Sequence, residues 1–63
     1  MKFKNEKLEL GTRFFLFTSE DEYKIVSLVK SEEESGQFMN EETLELETIS
    51  EKELDKYLSL IHI

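Results

Sequence analysis

The chain has no cysteine, no tryptophan and no alanine, and a single histidine, His62, among its 63 residues. Disulfides are therefore excluded, and so is a zinc site built from several cysteine and histidine ligands. A domain of this length buries little apolar surface, so without such links its stability as a monomer is marginal. We expect a thin core of large side chains, and two alternatives remain for further stability: good local structure, or self-association into a homo-oligomer such as a homodimer.

Long apolar runs are also missing from the sequence. The longest covers residues 14–17, whereas a membrane-spanning helix needs about 20 apolar residues. Residues 1–7 are partly basic but are not followed by the apolar segment and cleavage site of a secretory signal. Together with the lack of cysteine, this leads us to expect a cytoplasmic protein with no membrane partner, whose residues 1–63 form a single domain.

Negative charge is unevenly distributed along the chain, whose net charge is −7. Residues 1–30 carry six basic and five acidic side chains, whereas residues 31–63 carry two basic and ten acidic ones. Binding to a nucleic-acid backbone depends on lysine and arginine side chains that neutralise phosphates. The acidic second half therefore argues against direct nucleic-acid binding.

Two segments in the first half have the composition of β-strands. Residues 12–18 are rich in aromatic side chains and residues 23–30 in β-branched ones, and the polar residues 19–22 between them are typical of a turn. We predict an antiparallel hairpin with a four-residue connection. Residues 7–10, where leucines alternate with charged residues, predict a shorter strand before it.

The second half has weaker strand signals separated by acidic segments. Residues 31–36 are polar and repeat one charge, which predicts an exposed and mobile loop, and residues 37–40 follow as a short strand. Residues 43–49 alternate, which places their leucines on a buried face and Glu45 and Glu47 on the solvent face. This pattern predicts a half-buried strand with an acidic outer side.

A helix start is the clearest local signal. Ser50 and Glu53 have the spacing of a capping box, and Ile49 and Leu54 have that of the accompanying hydrophobic staple. We predict a helix of two to three turns that begins directly after Ser50. Residues 60–63 are too apolar to be left in water, so we expect them to form a closing strand or to dock on the sheet.

The order of these elements predicts an α+β fold. It would consist of a small, mostly antiparallel β-sheet of four to five short strands, with one short C-terminal helix packed on it. The alternative is a small SH3-like β-barrel with a short helix before its last strand.

No motif for catalysis or cofactor binding is present. Nucleophilic catalysis pairs Ser, Cys or Thr with a base, and the only imidazole, His62, interrupts an apolar terminal segment. Gly11 and Gly36 stand too far apart for a phosphate loop, and the acidic residues lack the spacing of a calcium loop. Carboxylate pairs for acid–base catalysis need a shaped pocket, which a chain of this length rarely encloses. We therefore expect no enzymatic activity, no cofactor and no metal.

The aromatic side chains of the first half allow two interpretations. Phe14, Phe15, Phe17 and Tyr23 could stack on nucleic-acid bases, or they could form the core. Since the core must be built from large side chains and the charge opposes nucleic acid, we assign them to the core.

The surplus of carboxylates is the strongest functional signal, because it covers a loop, one strand face and the first turn of the helix. The candidate partner-binding residues are Glu32, Glu33, Glu34, Glu41, Glu42, Glu45, Glu47 and Glu51. Such a surface speeds association with a basic partner and makes binding salt-sensitive. We therefore predict a small acidic protein-binding module that docks on a basic surface of another protein.

Two narrower interpretations accompany this prediction. Small acidic inhibitors that imitate the charge pattern of DNA, often encoded by phages and mobile elements, act on basic partners, and by analogy the module would be such an inhibitor or adaptor. The alternative is a structural or assembly module, homo-oligomeric, in which acidity only provides solubility. Its basis is the thin core and the apolar residues near both ends of the chain, Phe3 and residues 60–63.

Overall fold

The computed structural model describes every residue from Met1 to Ile63 and contains seven strands and one helix. In chain order they are β1 (Lys2–Phe3), β2 (Glu6–Lys7), β3 (Arg13–Phe17), β4 (Tyr23–Ser31), β5 (Ser35–Asn40), β6 (Leu46–Ser50), α1 (Glu51–Leu54) and β7 (Ser59–His62). β1 and β2 form a separate hairpin, and the other strands form one antiparallel sheet in the order β6-β5-β4-β3-β7. The predicted small, mostly antiparallel sheet with one short helix is confirmed.

The centre of the sheet is the hairpin of β3 and β4. Phe14 lies opposite Val26, and Phe17 lies opposite Tyr23 at the turn end. The backbone N–H of Thr18 donates to the Glu22 carbonyl oxygen at 3.0 Å, which closes the turn. The antiparallel hairpin predicted from residues 12–18 and 23–30 is therefore confirmed, although its connection has five residues, 18–22, instead of the predicted four.

One face of the sheet, which we call the inner face, carries the core. Nine hydrophobic side chains are buried in one cluster: Phe3, Leu8, Phe14, Leu16, Val26, Leu28, Phe38, Ile49 and Leu54. Six of them come from the inner face, two from the N-terminal segment around β1–β2 and one from α1. The core is thus sandwiched between the sheet and the two segments that flank it in sequence.

The connection from β6 to β7 crosses the inner face from one edge of the sheet to the other. It leaves β6 at Ser50, continues through α1, and reaches β3 where the N–H of Leu58 donates to the Phe17 carbonyl oxygen at 3.0 Å. β6 and β7 are the two unpaired edges, so the sheet is open. The alternative of a closed SH3-like barrel is not formed, although a short helix does precede the last strand.

The strand predicted for residues 7–10 is wrong. Only Lys7 of that segment is in β2, which pairs with β1; Leu8 is buried beyond the strand and Leu10 is exposed. Lys4 and Asn5 adopt left-handed φ angles of 47° and 72°, as a two-residue type I′ hairpin turn requires. Because glycine does not mark this turn, the sequence pattern gave no sign of the hairpin.

The mobile loop predicted for residues 31–36 is also wrong in its extent. β4 includes Ser31 and β5 begins at Ser35, so three glutamates form the connection. The N–H of Glu32 donates to the Ser35 carbonyl oxygen at 2.8 Å. Gly36 is buried in β5, where an added Cβ would lie 2.9 Å from Leu28 Cδ1 and would also collide with Met1.

The predicted facing of residues 43–49 is reversed. Leu44 and Leu46 are 68% and 62% exposed, whereas Ile49 is buried and Glu47 lies opposite Phe38 on the inner face. Asn40 causes this register, because its Oδ1 accepts hydrogen bonds from the next turn's backbone and delays the start of β6 to Leu46. A shift of one residue exchanges the two faces of a strand.

The helix begins as predicted but is shorter. The Ser50 Oγ accepts a hydrogen bond from the Glu53 N–H at 3.2 Å, which confirms the capping box. The helix ends after one turn, at Leu54, instead of two to three turns. The residues after the helix form β7, which pairs with β3, so the predicted closing strand is confirmed. Ile61 in this strand is about half exposed.

Candidate functional site

The topology of the sheet brings two acidic turns to the same end. The turn between β3 and β4 and the turn between β5 and β6 lie side by side, since alternate turns of an antiparallel meander share an end. The N–H of Glu41 donates to the Ile25 carbonyl oxygen at 2.9 Å, only two residues after β4 begins. We call this region the acidic end; its carboxylates are Glu20, Asp21, Glu22, Glu41, Glu42 and Glu45.

Hydrogen bonds define the backbone of both turns. The Asn40 Oδ1 accepts from the N–H groups of Glu42 and Thr43 at 2.8 and 3.2 Å. The Leu44 N–H donates to the Asn40 carbonyl oxygen at 2.7 Å, and Leu44 has a left-handed φ of 64°. In the other turn the Ser19 Oγ lies 3.1 Å from an Asp21 carboxylate oxygen, to which it donates. The carboxylates therefore project from ordered turns.

None of the six carboxylates of the acidic end forms a salt bridge. The chain has two salt bridges, Lys24 to Glu47 and Lys30 to Glu32. Five of the six side chains are exposed and only Glu41 is partly buried. Unneutralised charges of one sign that share a small surface produce a field that attracts cationic groups.

Glu47 has a different environment, although it is one of the predicted partner-binding residues. Its carboxylate accepts a hydrogen bond from the Lys24 Nζ at 2.9 Å, and that ammonium lies 5.9 Å from the centre of the Tyr57 ring. Burial alone would lower the pKa of Lys24, but the hydrogen bond to Glu47 and the nearby Tyr57 outweigh it and raise the pKa above its ordinary value. Glu47 is therefore committed to an ion pair at the edge of the core.

The remaining predicted residues, Glu32, Glu33, Glu34 and Glu51, lie at the opposite end of the sheet. They are mixed there with positive charge and donors. The Lys30 Nζ lies 3.5 Å from Glu32, the N-terminal ammonium donates to Ser31 Oγ, and the backbone N–H of Lys2 donates to the Glu51 carboxylate at 3.0 Å. The predicted set is thus divided by the structure between two ends and one ion pair.

Glu20, Asp21 and Glu22 belong to the acidic end but were not among the predicted residues. The sequence was divided into halves by charge, and these three lie in the half with balanced charge. Sequence reasoning could have found them by extending the one predicted hairpin into a meander of consecutive hairpins, because the first and third turns of such a meander meet at one end.

No cluster suited to a metal or to covalent chemistry is present. No group of three or more His, Asp or Glu side chains could hold a metal ion. A cleft of about 350 Å³ contains His62, whose ring lies 5.7 Å from that of Phe14. The Thr12 hydroxyl in this cleft donates to the Glu9 carbonyl oxygen at 2.6 Å, so it is not paired with the imidazole. The only helix has four residues, and no helix is long and apolar enough to cross a bilayer.

The other face of the sheet, which we call the outer face, is apolar and uncovered. From the strand registers its large apolar side chains are Phe15, Phe17, Tyr23, Ile25, Met39, Leu46, Ile61 and Ile63. The Tyr23 ring lies 5.3 Å from the rings of both Phe15 and Phe17. Of the aromatic residues assigned to the core, only Phe14 is buried there, and the other three lie on this face.

No protein-family model, curated protein or solved structure matches the chain. Its function is therefore inferred from its own geometry, in which two surfaces stand out. The acidic end is charged, and none of its carboxylates forms a salt bridge. The outer face is apolar, and no strand residue on it is an aspartate or a glutamate.

Proposed function

We propose that this protein is a small, non-enzymatic, cytoplasmic protein-binding module that docks with its acidic end on a basic surface of a partner protein. The observation that carries the proposal is the concentration of six carboxylates, none of them in a salt bridge, on two adjacent turns. Acidity that served only solubility would need no such concentration, because dispersed charges keep a protein soluble equally well.

The fixed conformation of the two turns supports a role in recognition. The Asn40 hydrogen bonds fix the turn backbone that carries Glu41, Glu42 and Glu45, and the Ser19 hydrogen bond holds the Asp21 carboxylate. Ordered turns of this kind lose less conformational freedom on binding than a flexible loop. Charge complementarity of this kind mainly raises the association rate, and this increase becomes much smaller at high ionic strength. Docking should therefore be fast and salt-sensitive.

The experiment compares two triple variants that carry the same net charge. Glu41→Gln, Glu42→Gln and Glu45→Gln neutralise part of the acidic end, while Glu32→Gln, Glu33→Gln and Glu34→Gln neutralise the turn at the opposite end. Each protein is immobilised and used to capture partners from a lysate of its native host at low salt, followed by elution with increasing salt.

The proposal expects a basic protein that moderate salt releases. It should be captured by the wild type and by the variant of the opposite end, and lost with the variant of the acidic end. Equal capture by both variants, or a partner that salt does not release, would contradict the proposal. Competition by duplex DNA for the captured partner would support the narrower hypothesis of an inhibitor that imitates DNA.

A further inference from the structure

The outer face exposes several large apolar side chains that lie next to one another on the sheet. Tyr23, Leu46, Ile61 and Ile63 are each about half exposed or more, and Tyr23 stacks against two neighbouring aromatic rings. With the partly buried members, the outer face leaves roughly 500 Å² of apolar surface accessible, taking about 150–200 Å² for each large side chain. A patch of this size is comparable to the largest apolar patch of a typical monomeric protein, and such patches are often functional.

We propose that the outer face binds the outer face of a second copy of this chain, forming a two-fold symmetric dimer of face-to-face sheets. This inference is independent of the docking function proposed for the acidic end. The core has only nine buried hydrophobic side chains, so burying further apolar surface in a dimer would add stability. The proposal places this dimer interface on the outer face.

The area of the outer face agrees with what a stable dimer needs. A standard interface buries about 800 Å² on each partner, of which about 65% is apolar in homodimers. The apolar area estimated for the outer face is close to that share. The neutral polar residues between its apolar side chains, among them Gln37 and Thr48, would supply the remaining area.

The distribution of charge also favours a second copy. Two molecules with a net charge of −7 repel each other on most approaches, but no strand residue on the outer face is acidic. Arg13 lies on this face opposite Ser27, on the side away from the acidic end. If the two-fold axis lies in the interface and runs perpendicular to the strands, the strands of the second copy point in the opposite direction. Each Arg13 then lies over the acidic end of the partner, and the two acidic ends are at opposite ends of the dimer.

Sedimentation of the full chain, from micromolar to near-millimolar concentration, tests the proposal. The wild type should pass from monomer to dimer. Tyr23→Lys, on central strand β4, and Leu46→Lys, on edge strand β6, should each weaken dimerisation about tenfold or more, since burying a lysine ammonium against an apolar face is unfavourable. Arg13→Glu should also weaken it.

Leu58→Lys is the matched control, because Leu58 is 49% exposed and lies outside the outer face; it makes the same charge change and should leave dimerisation unaltered. Far-ultraviolet circular dichroism confirms that each variant folds. Wild-type protein that stays monomeric at every concentration would overturn the proposal. So would a dimer that Tyr23→Lys does not weaken, since that dimer would be joined through strand edges or another surface. Neither result bears on partner capture by the acidic end.

Discussion

The two faces of the five-stranded sheet have similar apolar side chains but opposite environments. Along β3, Phe14 and Leu16 on the inner face are at most 5% exposed, while Phe15 and Phe17 on the outer face remain partly exposed. Both covering segments, the β1–β2 hairpin and the crossover through α1, pack on the inner face. Which face becomes the core is therefore decided by where the flanking segments go, and the strand pattern itself does not distinguish the two.

The two ends of the sheet likewise differ in the environment of their charged side chains. Each end carries a run of three consecutive acidic residues, but only the run at the β4–β5 turn contains a carboxylate in a salt bridge, that of Glu32 with Lys30. Equal runs of carboxylates thus have different electrostatic consequences. Their environment depends on which other segments the fold places beside them.

The largest expected effect is a difference in stability between substitutions at two adjacent positions of β3, one on each face of the sheet. Leu16→Ala should lower the free energy of unfolding by about 3 kcal/mol, because it opens a cavity in a fully buried part of the core. Phe15→Ala, at low protein concentration where the monomer dominates, should cost clearly less. Urea denaturation of both variants measures this difference, and equal losses would show that the outer face is already packed in the monomer.

The two glycines should respond to alanine for different reasons. Gly36→Ala should cost about 1–3 kcal/mol, because the new Cβ overpacks the core against Leu28. Gly11→Ala has open space but a φ of +84°, so backbone strain alone should cost about 1 kcal/mol. Gly11→Asn should recover part of that loss, whereas Gly36→Asn should not; thermal unfolding of the four variants tests this.

Neutralising the two ends should change stability in different ways. The variant Glu41→Gln, Glu42→Gln, Glu45→Gln should be more stable than the wild type by a few tenths of a kcal/mol at low salt, since like charges there repel without compensation. The variant Glu32→Gln, Glu33→Gln, Glu34→Gln should gain less, because it also loses the Lys30–Glu32 pair. Added salt should remove the difference between them, and a difference that persists at high salt would contradict the electrostatic explanation.

The smallest expected effect concerns the ion pair at the edge of the core. Because the pKa of Lys24 is raised in the folded state, its contribution is fully present below the ordinary lysine pKa of about 10.4 and is lost as pH rises through the folded-state pKa. Solvent screening limits it to a few tenths of a kcal/mol. Urea denaturation at pH values below and above this range should show the loss in the wild type but not in Lys24→Met.

Part of the fold could be predicted because it depends on local signals. The strands around Phe14 and Val26 have aromatic and β-branched composition, and the capping box at Ser50 depends on residues three positions apart. The length of α1 could not be predicted in this way. Leu58 and the residues after it pair with β3, a strand about 40 residues earlier in the chain, and therefore do not continue the helix.

Part of the candidate site could be predicted for the same reason, and part could not. The alternation of residues 43–49 was visible, but its facing depended on how Asn40 ends β5 and shapes the turn, and this shifted Leu46 to the outer face. Glu41, Glu42 and Glu45 were identified by composition. Their association with Glu20, Asp21 and Glu22 followed from strand pairing across some twenty residues of chain.

The sequence by itself determined that this protein has a small, strongly acidic domain built of antiparallel strands, with one capped helix near its end. These properties depend on composition and on residues within a few positions of one another. Only the tertiary structure decided which sheet face is covered, which carboxylates share an end and which are neutralised. These outcomes depend on contacts between distant segments, whose free energies a local sequence pattern does not encode.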